Sequence, residues 1–169
     1  MRRVTPVLLM LWPLVMAAPS CLAQQVTVEH VDVIDAGTYR ITAGAGTAEP
    51  GTPTGEVTAV DKSTLLEATN TLPAKSGTEF GLRYIVVGKP AAAEVDLDIA
   101  ITYPAEGLTD PATGRTIHES RYTSTKKIGA SEYLGYGIEH DWEAVPGAWT
   151  FEIWHGGKRL AYRTFTLTQ

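Results

Sequence analysis

VDLDIAITY, at residues 95–103, alternates apolar side chains with polar or small ones. Asp96 and Asp98 occupy the polar positions. The apolar positions are Val95, Leu97, Ile99, Ile101 and Tyr103. Successive side chains of a β-strand point to opposite faces of its sheet, so this pattern predicts a half-buried strand. The following Pro104 ends the run, because proline has no N–H to donate to a ladder.

The same two-residue period recurs on both sides of this stretch, with turn residues between the runs. It is clearest at residues 80–86, 149–153 and 160–167, and weaker at 26–41, 56–60, 64–71, 116–125 and 133–138. Thr109–Arg115 and Gly156-Gly157 are predicted turns, and a bulge or kink is predicted at Gly37. About eight or nine short strands without a helical crossover favour an all-β, antiparallel immunoglobulin-like β-sandwich. A small closed barrel is the alternative.

A run rich in Gly, Ala, Thr and Pro extends from Gly44 to Gly55. Such composition is typical of loops, so we predict a flexible surface loop there. Too little chain precedes it to fold alone, and residues 24–169 are therefore predicted to form a single domain.

The first 23 residues have the layout of a secretory signal. Arg2 and Arg3 precede an apolar stretch from Val7 to Ala18, which small residues follow. The stretch is too short to cross a bilayer, which takes roughly 20 residues. Cleavage before Gln24 predicts a periplasmic or secreted protein. Lipidation of Cys21, giving a membrane-anchored lipoprotein, is the alternative.

Removal of residues 1–23 changes the charge and the cysteine content. The 14 basic residues lose Arg2 and Arg3, whereas all 19 acidic residues remain, so the net charge becomes −7. An acidic surface repels nucleic-acid phosphates, and nucleic-acid binding is therefore disfavoured. The only cysteine, Cys21, is removed with the signal, so no disulfide is expected. No later segment is apolar enough to predict a transmembrane helix.

Candidate reaction centres are sparse in the sequence. His118-Glu119 and His140-Asp141 are adjacent pairs, whose side chains point to opposite faces of a strand. Asp96 and Asp98 share one face, but it is the predicted solvent face. We therefore predict no catalytic residue, no metal site and no cofactor. A hydrolase site assembled across strands around His118 or His140 is a less favoured alternative.

Aromatic residues in the last third offer a binding hypothesis. Trp149 belongs to the predicted core face, whereas Trp142, Trp154, Tyr133 and Tyr136 are candidate binding residues. Exposed tryptophan and tyrosine rings stack on sugars or anchor partner proteins. The predicted function is thus a non-catalytic binding or interaction module for an unknown protein. Binding of a carbohydrate or envelope polymer is the alternative, and packing at the ends of the sandwich is the structural explanation for these rings.

Four segments resemble one family when taken in order. They are LPA at residues 72–74, GTEFG at 77–81, TDPATGR at 109–115 and VPGAWTFEIW at 145–154. Together they resemble the bacterial domain-of-unknown-function family 3859, over the chain from about Val28 onward. The resemblance implies a secreted or envelope-associated β-rich domain. It implies no catalytic residue and no ligand.

Overall fold

The computed structural model describes residues 25–169, which form β-strands and one 3₁₀ turn at Asp141–Glu143. The strands are β1 (Thr27–Ala48), β2 (Glu56–Glu67), β3 (Thr71–Pro73), β4 (Glu79–Lys89), β5 (Glu94–Thr102), β6 (Leu108–Thr109), β7 (Thr116–Ile117), β8 (Glu119–Lys127), β9 (Ser131–Gly137), β10 (Gly147–His155) and β11 (Lys158–Thr168). The all-β prediction is confirmed. The predicted signal segment at residues 1–23 lies outside the described residues.

The strands form two main sheets rather than one closed barrel. One sheet has the order β2-β1-β4-β9, the other has the order β3-β11-β10-β5-β8, and β6 pairs with β7 in a small hairpin. All neighbours are antiparallel except β3 and β11, where Leu72 lies opposite Leu167 in a parallel pair. The prediction of a wholly antiparallel fold is wrong for this pair, because β3 reaches β11 from the other sheet by a direct crossing of the chain.

The core lies between the two sheets and follows the predicted alternation. Alternate residues from Phe80 to Val86 on β4 are buried and face the apolar positions of β5, β10 and β11. Trp149 is fully buried, and its ring meets that of Phe80 edge-on with centroids 5.4 Å apart. Burial of each large apolar side chain contributes about 1.5–3 kcal/mol, so this shared face stabilises the packing of the sheets.

The first long hairpin differs from its prediction. Residues 44–48 continue β1, and Gly46, Thr47 and Ala48 pair with Thr58, Val57 and Glu56 of β2. The predicted loop is therefore wrong for this half, and the connection between the strands is limited to residues 49–55. The Thr52 hydroxyl donates to the Glu49 carbonyl at 2.8 Å and closes that turn. Ladder hydrogen bonds with β2 outweigh the weak strand propensity of Gly and Ala in this segment.

Residues 39–65 form a hairpin that extends from the four-stranded sheet to the five-stranded sheet. We refer to this hairpin as the arm. β1 pairs with β4 only as far as Thr38, and beyond it pairs with β2 alone. A register shift between Thr38 and Tyr39 lies next to the bulge predicted at Gly37. The tip of the arm contacts the β6–β7 connection, where Arg115 donates to the Thr52 carbonyl at 2.6 Å. It also contacts the five-stranded sheet, where Ser120 of β8 donates to the Gly51 carbonyl at 3.2 Å.

Within residues 25–169, no helix is long and apolar enough to cross a membrane.

Candidate functional site

A cleft of about 820 Å³ lies where the two sheets present neighbouring edges. Within residues 25–169, β8 pairs only with β5, and β9 pairs only with β4, so each strand ends its sheet. The arm forms the third side of the cleft through residues such as Ile41, Ala43 and Val57. The cleft is therefore enclosed by two unpaired strand edges and a hairpin.

Polar contacts connect the walls of the cleft. Lys126 of β8 lies 3.3 Å from the carboxylate of Glu132 on β9. The phenol of Tyr103 and the hydroxyl of Ser120 are 2.7 Å apart, and Ser120 also holds the tip of the arm. These contacts cross from β8 to β9 and from β8 to the arm, so they define the separation of the walls.

The interior of the cleft contains a phenol without a hydrogen-bond partner. Tyr84 of β4 is fully buried and lines the cleft together with Ile99 and Ile101. Among the residues that the structure describes, its hydroxyl has no hydrogen-bond partner. Burial raises the pKa of Tyr84, so the phenol stays neutral and can donate a hydrogen bond. An unsatisfied buried hydroxyl costs about 1–3 kcal/mol, which a ligand acceptor would offset.

The carboxyl group of Glu79 lies at the rim of the cleft and can bind a proton near neutral pH. Its carboxylate accepts a 2.7 Å hydrogen bond from the phenol of Tyr133. Burial raises the pKa of Glu79 to about 7, although the Tyr133 hydrogen bond acts in the opposite direction; the nearby charge of Glu139 raises it further. This carboxyl group is therefore partly protonated at neutral pH.

Glu143 organises the turn at one end of the cleft. Its fully buried carboxylate accepts hydrogen bonds from the Tyr136 phenol at 2.5 Å and from the backbone N–H groups of Glu139 and His140 at 2.9 and 2.7 Å. Satisfying two backbone donors in this way fixes the 3₁₀ turn. The Tyr136 ring also packs 5.0 Å from the ring of Trp149, so this wall is rigidly supported from the core.

The structure separates the four predicted aromatic binding residues. Tyr133 and Tyr136 both line the cleft but lie on opposite faces of β9, because they are three positions apart, an odd spacing along a strand. Tyr136 packs into the core, whereas Tyr133 meets Tyr39 edge-on at 4.9 Å. Trp142 stacks on His140 at 5.8 Å beside the 3₁₀ turn. The two tyrosines therefore approach the cleft from different sides.

Trp154 lies elsewhere, on β10 of the five-stranded sheet. It borders a shallow hollow of about 390 Å³ that Asp98 and Arg121 also line. The indole N–H donates to Glu152 at 3.1 Å, and the Arg159 guanidinium lies 5.9 Å from the ring centroid. This hollow is distinct from the cleft between β8 and β9.

The histidines and paired aspartates occupy separate positions. His140 Nδ1 lies 3.2 Å from Glu143, whose other contacts orient the turn. Asp96 and Asp98 accept hydrogen bonds from Thr125 at 2.6 Å and Thr123 at 3.1 Å on the exposed face of the sheet. Across residues 25–169, no group of three or more His, Cys, Asp or Glu side chains converges as a metal site would require.

Sequence reasoning missed Tyr84, Glu79 and Glu143. Tyr84 occupies an apolar position of an alternating strand. A tyrosine at such a core position could have indicated the site, because its buried hydroxyl needs a hydrogen-bond partner. Glu143 follows His140 by three residues, a spacing at which a carboxylate caps preceding backbone N–H groups. The position of Glu79 beside Tyr133 depends on the pairing of β4 with β9, which the sequence does not reveal.

Comparisons with known proteins address the family and the fold. The family model described as "Domain of unknown function (DUF3859)" matches residues 27–167. An immunoglobulin-like protein from Pseudomonas aeruginosa has a similar structure, with a TM-score of 0.59 and 21% sequence identity over 87% of this chain and 99% of that chain. That likeness supports the immunoglobulin-like fold. No curated protein matches the chain.

Proposed function

The chain belongs to the family of domains of unknown function DUF3859, and from this premise we propose that its domain is a binding module whose ligand occupies the cleft between β8 and β9. The proposal assigns no reaction to the domain. An immunoglobulin-like fold serves many unrelated functions and does not by itself indicate one. The cleft, by contrast, is a specific feature of this domain.

The observation that carries the proposal is the Tyr84 hydroxyl. It is buried beside apolar side chains behind the wall of the cleft, and it has no partner among the described residues. Buried polar groups in native proteins are nearly always paired, and exceptions are often explained by a ligand or a functional role. A ligand that displaces the side chains covering Tyr84 would bring an acceptor atom to its hydroxyl and an apolar part against Ile99.

The sequence favours export of the protein, so binding would take place outside the cytoplasm. The charged, apolar and small-residue order of residues 1–23 is that of an export signal, so we propose a periplasmic or secreted module. Lipidation at Cys21 would anchor it to a membrane instead.

Nuclear magnetic resonance titration tests the proposal. The probes are cellotriose, chitotriose and the uncharged peptide acetyl-(Val-Thr)₄-amide, added separately to ¹⁵N-labelled domain. We expect at least one probe to shift the resonances of Tyr84, Ser124 and Leu134, which line the cleft. If none of these probes, and no charged peptide of the same length, shifts these resonances, the proposed binding site is wrong.

A blocking variant and its matched control assign the response to the cleft. Ser124 is half-buried on the cleft side of β8, and Ser124→Trp should abolish the shifts by filling the space. Thr166 is exposed on β11 outside the cleft, so Thr166→Trp should preserve them. Thermal melting of both variants shows whether each has folded.

Carbohydrate binding at Trp154 is a second candidate function. The observation that favours it is the hollow beside this ring, where Asp98 and Arg121 supply hydrogen-bonding groups. Sugars stack on tryptophan faces and bind through such flanking polar groups. Tryptophan fluorescence titrated with cellotriose should change in the wild type and not in Trp154→Ala, whereas an unchanged wild-type spectrum would remove this candidate.

A further inference from the structure

β9 pairs with β4 along one edge, and its other edge is free among the described residues. The Ile138 N–H donates to the Thr78 carbonyl at 2.9 Å, and the Ile138 carbonyl accepts from the Gly77 N–H at 2.7 Å. Backbone groups alternate in direction along an antiparallel strand. Counting back from Ile138, the N–H and C=O groups of Tyr133, Gly135 and Gly137 point away from β4.

These outward groups lie inside the cleft. The consecutive residues Tyr133–Gly137, from both faces of β9, line it, so the unpaired edge itself is part of its wall. Unpaired N–H and C=O groups along a strand are a template for one more strand. Extended peptides bind proteins by adding to such edges through main-chain hydrogen bonds.

The charge of the lining is predominantly negative. Glu49 and Glu56 of the arm face the cleft together with Glu79 and Glu139. Lys126 also lines it, but its ammonium group is already paired with Glu132. Glu49 of the arm and Tyr122 of β8 both line the cleft, and the charge of Glu49 adds to burial in raising the pKa of Tyr122 to about 12. A cationic ligand complements this lining.

From these observations we infer that the ligand is an extended, positively charged peptide segment of a partner protein, which pairs with the free edge of β9. This inference rests on the proposed binding function. The seven residues of β9 correspond to roughly 23 Å of extended chain, so the segment needs about seven or eight residues.

Three synthetic peptides test the inference by isothermal titration calorimetry. They are acetyl-(Val-Lys)₄-amide, the acidic counterpart acetyl-(Val-Glu)₄-amide, and the Val-Lys peptide with the backbone nitrogens of all eight residues methylated. We expect the Val-Lys peptide to bind at least tenfold more tightly than either of the others, because one lacks the positive charge and the other lacks backbone donors. Equal binding of the methylated peptide would overturn strand addition.

Amide hydrogen exchange locates the bound peptide. We expect at least tenfold slower exchange for the N–H groups of Tyr133, Gly135 and Gly137 in the presence of the Val-Lys peptide, with Leu134 and Tyr136 unchanged. Ser63 and Thr64 of β2, the opposite edge of the same sheet, are the internal control. Equal protection of β2 would mean nonspecific addition to any open edge and would contradict the inference.

Charge substitutions on the arm complete the test. The double variant Glu49→Gln and Glu56→Gln should weaken binding of the Val-Lys peptide at least threefold. The matched double variant Glu94→Gln and Glu106→Gln changes two exposed residues outside the cleft and should leave it unchanged. If glycans shift the cleft resonances while none of the peptides binds, the peptide inference fails and the proposed binding function stands. If neither class binds, both fail.

Discussion

The Tyr133 phenol donates a 2.7 Å hydrogen bond to Glu79, which joins β9 to β4 at the rim of the cleft. Burial disfavours the negative charge of Glu79 and raises its pKa from 4.5 to about 7, so this carboxyl group is partly protonated at neutral pH. A carboxyl group in this position makes the stability of the domain depend on pH.

The pH dependence has a definite sign. Because the folded pKa of Glu79 exceeds the unfolded one, the folded state binds more protons between them. Stability from this group is fully present below pH 4.5, decreases as the pH rises toward 7, and is constant above that value. We expect a loss of roughly 2–3 kcal/mol over this window. Urea unfolding from pH 4 to 8 should show a smaller decrease for Glu79→Gln than for the wild type. Parallel curves for the two proteins would contradict this assignment.

Tyr84→Phe should leave the free energy of unfolding unchanged or raise it by up to about 1 kcal/mol. The variant removes a buried hydroxyl that has no partner among the described residues, so no hydrogen bond is lost. Tyr103→Phe is the matched control, because its equally buried phenol is hydrogen-bonded to Ser120 at 2.7 Å. That variant should lose about 1 kcal/mol. Thermal melting of both compares the two hydroxyls directly, and a clear destabilisation by Tyr84→Phe would reveal a partner for its hydroxyl.

Glu143→Ala should destabilise the domain by about 2–4 kcal/mol. The substitution leaves the Tyr136 phenol and the backbone N–H groups of Glu139 and His140 without an acceptor in a buried site. Glu143→Gln retains one acceptor oxygen and should lose less. Chemical denaturation measures the difference, and Glu139→Ala, at an exposed position, is the control. A loss no larger than that of the control would contradict the capping role.

The two tryptophans of β10 should respond differently to truncation. Trp149 is fully buried among Phe80, Tyr103 and Tyr136, so Trp149→Ala should cost about 3–5 kcal/mol. Trp154 is only half-buried and contacts Arg159 and Glu152, so Trp154→Ala should cost about 1 kcal/mol or less. Calorimetric melting temperatures check this order. A reversed order would mean that Trp154 is the packing residue.

Much of the fold could be predicted from the two-residue period. Residues 80–86, 95–103 and 149–153 form strands whose apolar faces meet in the core, because alternation records which face is buried. The turns at Thr109–Arg115 and Gly156-Gly157 were also predictable from residue types with known turn preferences. Local chemistry was sufficient in each of these cases.

The arm and the cleft depend on long-range contacts that local patterns do not contain. Gly44–Ala48 has weak strand propensity and becomes strand only through pairing with residues 56–60. The parallel contact of Leu72 with Leu167 joins distant parts of the chain. The opposite faces of Tyr133 and Tyr136 were implicit in their odd spacing, whereas the neighbouring edges of β8 and β9 required the full topology.

The place of β11 between β3 and β10 determines when this domain can fold. During synthesis, β3 emerges early, but the strand that joins it to the rest of its sheet consists of residues 158–168. Until those residues have left the ribosome, Leu72 has no neighbouring strand in its sheet, and Trp149 lacks the side chains of β11. Contacts between such distant residues also slow folding. Folding of the domain therefore waits for residues 158–168, and until they emerge the earlier strands of the nascent chain remain available to chaperones.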